Sequence, residues 1–330
     1  MKAARSLLIL VLSALLAVVC DAVHAQATAA GNYPNHPIRI LVSFTAGGGV
    51  DTLARAVAQH LTERLGQPVV VDNRPGANGS IALEAAAKAQ PDGYTLVMAG
   101  QSNLVLLTAS RKILPYDPLR DFASVGTLFV APFYLVVHPS VPVRTVQEFV
   151  ALARSQPGKI NYGSIGVGSG HHLVMEMFAT RAKVKLMHVP YKGSGPAMAD
   201  LLSGHIQAMF EGAISTFPQI RTGKLRALAS SGLQRTQAMP SLPTVSESGM
   251  PGFDMVAWFG LATQAAVPRQ IVNRLNRETV DMLRSPATRE KFAAYNFEPI
   301  PSTPEEMDQR VRSEIPTYTK VMREAGIEPE

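Results

Sequence analysis

The chain has 330 residues and a mass of 35.4 kDa, enough for about two domains of roughly 100 to 200 residues with ordinary hydrophobic cores. Hydrophobic residues make up 46% and charged residues 17%, a balance that excludes a chain kept disordered by its own charge. The net charge is +6, yet the basic residues are scattered and aromatic residues are sparse. No basic, aromatic-studded stripe for nucleic acid is present, and a small anionic partner fits the charge better.

Lys2 and Arg5 precede an uncharged apolar run from Ser6 to Cys20, and Val23-His24-Ala25 and Ala25-Gln26-Ala27 then offer small-residue cleavage patterns. This is the layout of a secretory signal peptide, so residues 1–25 are expected to be removed and the mature chain to begin near Gln26, in the periplasm. The apolar run is short for a hydrocarbon core of about 30 Å, and no later run is long and apolar enough to span one. Cys20 is the single cysteine and falls within the expected leader, behind Val19 where a lipoprotein signal would want a small residue. A mature chain without cysteine has no disulfides, thiol nucleophiles or cysteine metal sites.

Ile38 to Val42 reads as a buried strand, Phe44 to Val50 as a Gly-rich loop, and Asp51 to Leu65 as a helix with Leu53, Ala54, Val57, Leu61 and Leu65 on one face, stopped by Gly66. A second cycle follows: a strand at Val69 to Val71, a turn over Pro75 to Gly79, a helix from Ile81 to Ala89 and a strand from Tyr94 to Met98. The middle of the chain repeats this grammar. It runs through a strand at Phe133 to Val137, a helix at Val146 to Arg154, a strand at Ile160 to Tyr162, a second Gly-rich loop at Gly163 to Gly170 and a helix at Leu173 to Arg181. Val184 to Val189, Ala197 to Leu202, Ile206 to Phe210 and Leu225 to Ala229 continue the alternation, and two α/β lobes with parallel sheets covered on both faces are expected. From about Pro268 the chain reads as helical: Ile271 to Leu283, Ala287 to Ala294 and Pro304 to Ala325, the last kinked or divided at Pro316.

The two strand, Gly-loop, helix units are the most informative features. Each sets backbone N–H groups at the positive end of a helix on the carboxyl edge of a sheet, where anions bind without a charged side chain. In the first, Phe44, Ala46, Gly47 and Gly48 let the backbone approach a ligand, and Asp51 can cap the following helix or touch the ligand. In the second, Ser164 and Ser169 could donate to an anion beside Gly168. The third glycine of a dinucleotide fingerprint is missing there, and no acid stands about twenty residues on, which argues against a nicotinamide nucleotide; no cofactor is expected. His172 and Glu176, four apart on a helix, could share a face as metal ligands would, but without a third ligand spaced nearby, loop support is the better reading, and His171 and His188 are equally ambiguous. Ser102 follows a strand, but Gly100-Gln101-Ser102-Asn103-Leu104 lacks the final glycine of a nucleophile elbow, so hydrogen bonding in a cleft fits it better than hydrolysis. Glu211 and Tyr191 also stand where strands deliver residues to a cleft, Tyr191 with interlobe packing as the alternative. Trp258 reads either as core or as a ring near a hinge.

These loops resemble those of the extracytoplasmic solute receptors of the tripartite tricarboxylate transporter type, the Bug family. The resemblance runs from about Tyr33 to the C-terminus. Its blocks include Phe44-Thr45-Ala46-Gly47-Gly48 with Asp51, Asn73-Arg74-Pro75-Gly76, Tyr162-Gly163-Ser164, Gly168-Ser169 with His172-Leu173, Val189-Pro190-Tyr191-Lys192-Gly193, Pro243-Thr244-Val245 with Glu247, Pro251-Gly252-Phe253, and Trp258 with Gly260-Leu261. It implies an α/β two-lobe periplasmic binding protein type 2 (Venus flytrap) fold, each lobe a central β-sheet flanked by helices, with the cleft between lobes. Residues 26–130 plus 229–330, including the C-terminal helices, would form a discontinuous lobe I and residues 131–228 lobe II. The resemblance further implies a small carboxylate as ligand (a dicarboxylate or tricarboxylate, an acidic amino acid or an aromatic acid), held by Phe44, Ala46, Gly47, Gly48, Ser164, Gly168 and Ser169. The implied partner is a membrane permease of large and small integral subunits, or a sensor protein where no permease is adjacent, with the receptor a monomer. The sequence departs from the usual pattern at Gly212, where relatives more often have an amide, and at Gln264-Ala265, where they more often have Ala-Pro. The rival class is an exported serine hydrolase using Ser102 or Ser169.

Overall fold

The structure is a computed structural model that describes residues 33–293, 296–324 and 326–327. The expected leader lies outside the described residues, as does Ala325, the last residue of the expected terminal helix. The first strand, β1 (Ile38–Val42), buries every residue except Arg39. It feeds α1 (Gly49–Leu65), whose buried positions Leu53, Ala54, Val57, Ala58, Leu61 and Leu65 form one stripe. Gly66 ends the helix in the left-handed conformation, its N–H donating to Thr62 O. Next come β2 (Val69–Asn73), a short 3-10 turn (Ala77–Gly79), α2 (Ser80–Ala87) and β3 (Thr95–Gly100), then a helical turn of π type (Gln101–Leu106) running into α3 (Leu107–Ser110).

The long strand β4 (Phe122–Pro132) follows, and after Phe133 the chain enters β5 (Tyr134–Val137) of a second sheet. That sheet is completed through α4 (Val146–Ser155), β6 (Asn161–Ser164), α5 (Gly170–Ala182), β7 (Met187–Pro190), α6 (Ser194–Ser203), β8 (Ala208–Glu211), α7 (Ala213–Arg221) and β9 (Arg226–Ser230). The chain then returns to the first sheet with β10 (Val256–Gln264) and closes with α8 (Arg269–Arg284), α9 (Pro286–Ala293), the short β11 (Glu298–Pro299) and α10 (Pro304–Glu324). The strand orders are β11-β4-β10-β3-β1-β2 and β7-β6-β8-β5-β9. This is the α/β two-sheet architecture of the type 2 periplasmic binding proteins.

Two expectations are corrected. Both sheets are mixed rather than parallel: β1 runs parallel to β2 and β3, but β10 is antiparallel to β3 and β4, and β5 is antiparallel to β8 and β9. β5 and β10 are the strands at the two changes of sheet, where the chain arrives without a crossover helix to reverse its direction, and the short β11 adds a further antiparallel pair with β4. The last helix runs unbroken through Pro316, because the side chains around it, Met307, Val311 and Met322, are anchored in the core and the lost donor is tolerated. The β4–β10 pair, unassigned from the sequence, is the longest ladder in the molecule.

Candidate ligand cleft

The first Gly-rich loop is braced from beneath. Asp51, buried at the third position of α1, accepts from the Gly47 N–H at 2.9 Å and from Arg55 Nε at 2.9 Å through Oδ2. Its Oδ1 accepts from Asn73 Nδ2 at 3.0 Å, and the same amide donates to Phe44 O. The side chain therefore caps backward onto the loop; the N-cap position itself is Gly48. Burial pushes the Asp51 carboxyl up, but the bonds from Arg55, Gly47 and Asn73 outweigh it and hold the pKa below the usual carboxylate range. Gly47 sits at φ +81° with open space around it, and Thr45, Ala46 and Gly47 are exposed. The first N–H engaged inside the helix is that of Thr52, bonded to Gly48 O, so the N–H groups of Gly48 to Val50 stand at the positive helix end.

The second loop is held by imidazoles. Ser164 Oγ lies 2.7 Å from His188 Nε2 and accepts from the Gly166 N–H at 3.1 Å. His172 Nδ1 accepts from the Gly168 N–H at 3.2 Å. Ser169 is the N-cap of α5, accepting from the His172 N–H and donating to Gly166 O at 2.7 Å. The rings of Tyr162, His188 and His172 stack in that order beneath the loop, and the Tyr162 hydroxyl bonds to Glu176. His172 and Glu176 are thus loop and ring supports, and among the described residues no cluster of three or more His, Cys, Asp or Glu could hold a metal.

Both loops lie against residues that belong to the other sheet's part of the chain. A Cβ built on Gly49 would meet Ile214 of α7 at 2.8 Å, one on Gly168 would meet Ser110 Oγ at 2.9 Å, and one on Gly170 would meet Phe133 and Leu106. Asn78 Nδ2 donates across the rim to Val167 O at 3.4 Å. Phe44, Ser102 and Trp258 line one small crevice behind the first loop. The Trp258 ring itself is 1% exposed, its Nε1 donates to Glu314 Oε2 at 2.7 Å, and Arg310 lies over its face; it is core on one side and crevice wall on the other. Tyr191 closes the far side of the second loop, its N–H on Ser164 O and its hydroxyl on Asp200. Glu211 ends β8, buried and fully bonded, with His171 Nε2 among its donors. Asn73, His171 and His188 join the site without having been assigned to it. Asn73 lies within a family block, but the partners of the two histidines lie 24 and 40 residues away in sequence, and only the fold brings them together.

Two α/β units, each with a Gly-rich loop at a helix start, are the frame of a solute-binding protein. Residues 53–327 match the family model described as the tripartite tricarboxylate transporter family receptor, and the chain belongs to that family. It is 36% identical to Protein BugT of Bordetella pertussis over 303 residues, 92% of this chain and 93% of the relative. Among solved structures it resembles R. palustris Rpa4515 with adipate, at TM-score 0.86 and 34% identity over 90% of this chain and all of the other. It also resembles the periplasmic binding protein BugD, at TM-score 0.82, 30% identity and the same coverage. MatC from Rhodopseudomonas palustris, with bound malate, matches at TM-score 0.79 and 29% identity over 88% and 99% of the two chains. Among the described residues no helix is long and apolar enough to cross a membrane.

Proposed function

We propose that the protein is a periplasmic receptor that closes its two lobes on a small organic carboxylate and presents the closed form to a two-subunit membrane permease. The observation that supports this reading is a pair of Gly-rich loops, each at a helix N-terminus, each braced by side chains of its own lobe and each packed at its rim against the other lobe. Such loops meet a carboxylate with backbone N–H groups and helix dipoles and need no arginine. The adipate and malate held by two relatives of the same fold support the ligand class. In this reading Ala46, Gly47, Gly48, Gly168 and Ser169 grip one carboxyl, Ser164 and Asp51 keep the loops in shape, and Phe44, Ser102, Tyr191 and Trp258 wall the pocket. The lobes move about the two changes of sheet, at Phe133 and after Ser230, and binding drives closure because the ligand touches both loops only in the closed state. The leader at residues 1–25 would deliver the chain to the periplasm.

Thermal unfolding of ligand-stripped protein against carboxylates, amino acids and neutral sugars tests the reading. At about 100 times the dissociation constant a true ligand adds roughly 2.7 kcal/mol, enough to raise the midpoint by several degrees. A shift with a carboxylate, weakened in Gly47→Val, supports the receptor; shifts with sugars alone, or turnover of an ester, overturn it.

A further inference from the structure

The floor of the second lobe holds a polar pair that the gripping loops do not use. Glu211 is 3% exposed. Its Oε1 accepts from His171 Nε2 at 3.2 Å and from the Gly212 N–H at 2.7 Å, and its Oε2 accepts from Ser194 Oγ at 2.8 Å. Gly212 is the N-cap of α7, Ser194 is the first residue of α6 and His171 the second of α5, so the three helix starts on this edge of the sheet meet at one carboxylate. Burial pushes the Glu211 carboxyl up, but His171 and the hydrogen bonds outweigh it and keep it ionised.

His171 is fixed between this carboxylate and the Phe133 ring, which meets it edge-on at 4.9 Å. The carboxylate only accepts, so Nε2 carries a proton. The second ring nitrogen, Nδ1, is buried and has no hydrogen-bond partner among the described residues. It belongs to the residue after Gly170, which packs against Leu106 and Phe133 where the lobes meet. A buried polar atom left unpaired at a lobe boundary calls for a partner that arrives with the ligand.

We infer that His171, oriented by Glu211, reads a second carboxylate on the ligand, its imidazolium Nδ1–H donating to that group while the Gly loops hold the first. The inference rests on the carboxylate-receptor reading and narrows it to dicarboxylates. The charge logic decides the protonation state. A ligand carboxylate at Nδ1 would face Glu211 across one five-membered ring, and only a ring protonated on both nitrogens can donate to both and set a positive charge between them. Glu211 is the charged group bonded to the ring, and Phe133 covers its other side. A neutral ring would instead offer Nδ1 as an acceptor and select a hydroxyl or amine.

The test compares matched pairs by calorimetry on the mature protein: succinate with butyrate, adipate with hexanoate and 6-hydroxyhexanoate, phthalate with benzoate. The expected result is a dicarboxylate that binds at least about tenfold tighter than its monocarboxylate partner, with the ratio falling to about threefold or less in His171→Gln and His171→Phe. His171→Gln keeps an N–H for Glu211 and carries the test if His171→Phe fails to fold. Glu211→Gln, which removes the charge that orients the ring, should lower the same ratio. A dicarboxylate preference that survives both His171 variants, or a wild-type preference for the monocarboxylate or hydroxy acid, overturns this inference and leaves the carboxylate receptor standing. Silence toward every carboxylate overturns both.

Discussion

His172 and His188 lie face to face beneath the second Gly loop, ring centroids 3.9 Å apart and planes 10° from parallel. Burial, with His188 beside it, holds the His172 pKa at about 3, and burial holds His188 at about 4. In an unfolded chain each takes up a proton near pH 6.5. Between that value and the folded ones the unfolded state binds more protons than the native state, so stability falls as pH falls. For His172 the slope approaches about 1.4 kcal/mol per pH unit, and for the less buried His188 it is smaller. Glu176, pushed up by burial, gains its proton in the native state and offsets part of the loss at the acid end. Unfolding midpoints should decline from pH 7 to pH 4. His172→Asn keeps an acceptor for the Gly168 N–H but cannot titrate, and it should flatten the profile; an unaltered profile would place the acid sensitivity elsewhere.

Asp51 ties Gly47, Arg55 and Asn73 together. Asp51→Ala leaves the Gly47 N–H without its acceptor and the Asn73 amide with Phe44 O alone, and a loss of roughly 1–3 kcal/mol is expected in denaturant unfolding. Ligand affinity should drop as well, because the loop at Gly47 and Gly48 is no longer held in its binding shape. Asp51→Asn keeps one acceptor and should fall between the two. Full affinity in Asp51→Ala would show that the loop holds its own shape.

Trp258 is the single tryptophan of the chain, and it shares a crevice with Phe44 and Ser102. Its emission should change on ligand binding, giving a label-free titration whose midpoint agrees with calorimetry. Removing its bond to Glu314 in Trp258→Phe should cost about 1–2 kcal/mol, read from the unfolding midpoint. Emission that ignores a ligand seen by calorimetry would separate this crevice from the binding cleft.

Gly100 sits where β3 meets β10, and a Cβ there would lie 2.3 Å from Trp258 O. Backbone cannot yield as a side-chain tip can, so Gly100→Ala should destabilise by roughly 1–3 kcal/mol. Gly47→Ala, in open space but at φ +81°, carries only the backbone penalty of about 1 kcal/mol. If the two variants melt alike, close packing at the β3–β10 seam is not the constraint it is argued to be.

Much of the architecture was legible because local pattern and tertiary role agree. Ile38 to Val42 is apolar because the strand is buried, and the glycines after it are bunched where an exposed loop turns into a helix start. The ladder between β4 and β10 was not legible. Phe122 to Pro132 mixes Ser, Gly, Thr and Pro with apolar residues, and its partner strand shifts register after Phe259 and again after Leu261, so neither shows a clean period of two. Pro316 misled for a related reason: a local rule about helix interiors gave way to side chains already fixed in the core. At the site, the loops were legible because their chemistry lies in consecutive residues. The support of Ser164 by His188, and the partnership of His171 with Glu211, join residues that only the sheet order brings together.

Each lobe carries its own scaffolding for its own loop, Asp51 with Asn73 in one and His172 with His188 in the other, and none of these braces crosses the cleft. Each loop is therefore held in shape within its own lobe, whatever the separation of the lobes. His171, proposed to read the remainder of the ligand, takes part in none of these braces. A scaffold divided this way can acquire new cargo by altering a few positions on the cleft floor, much as a key blank is recut without changing the lock's housing.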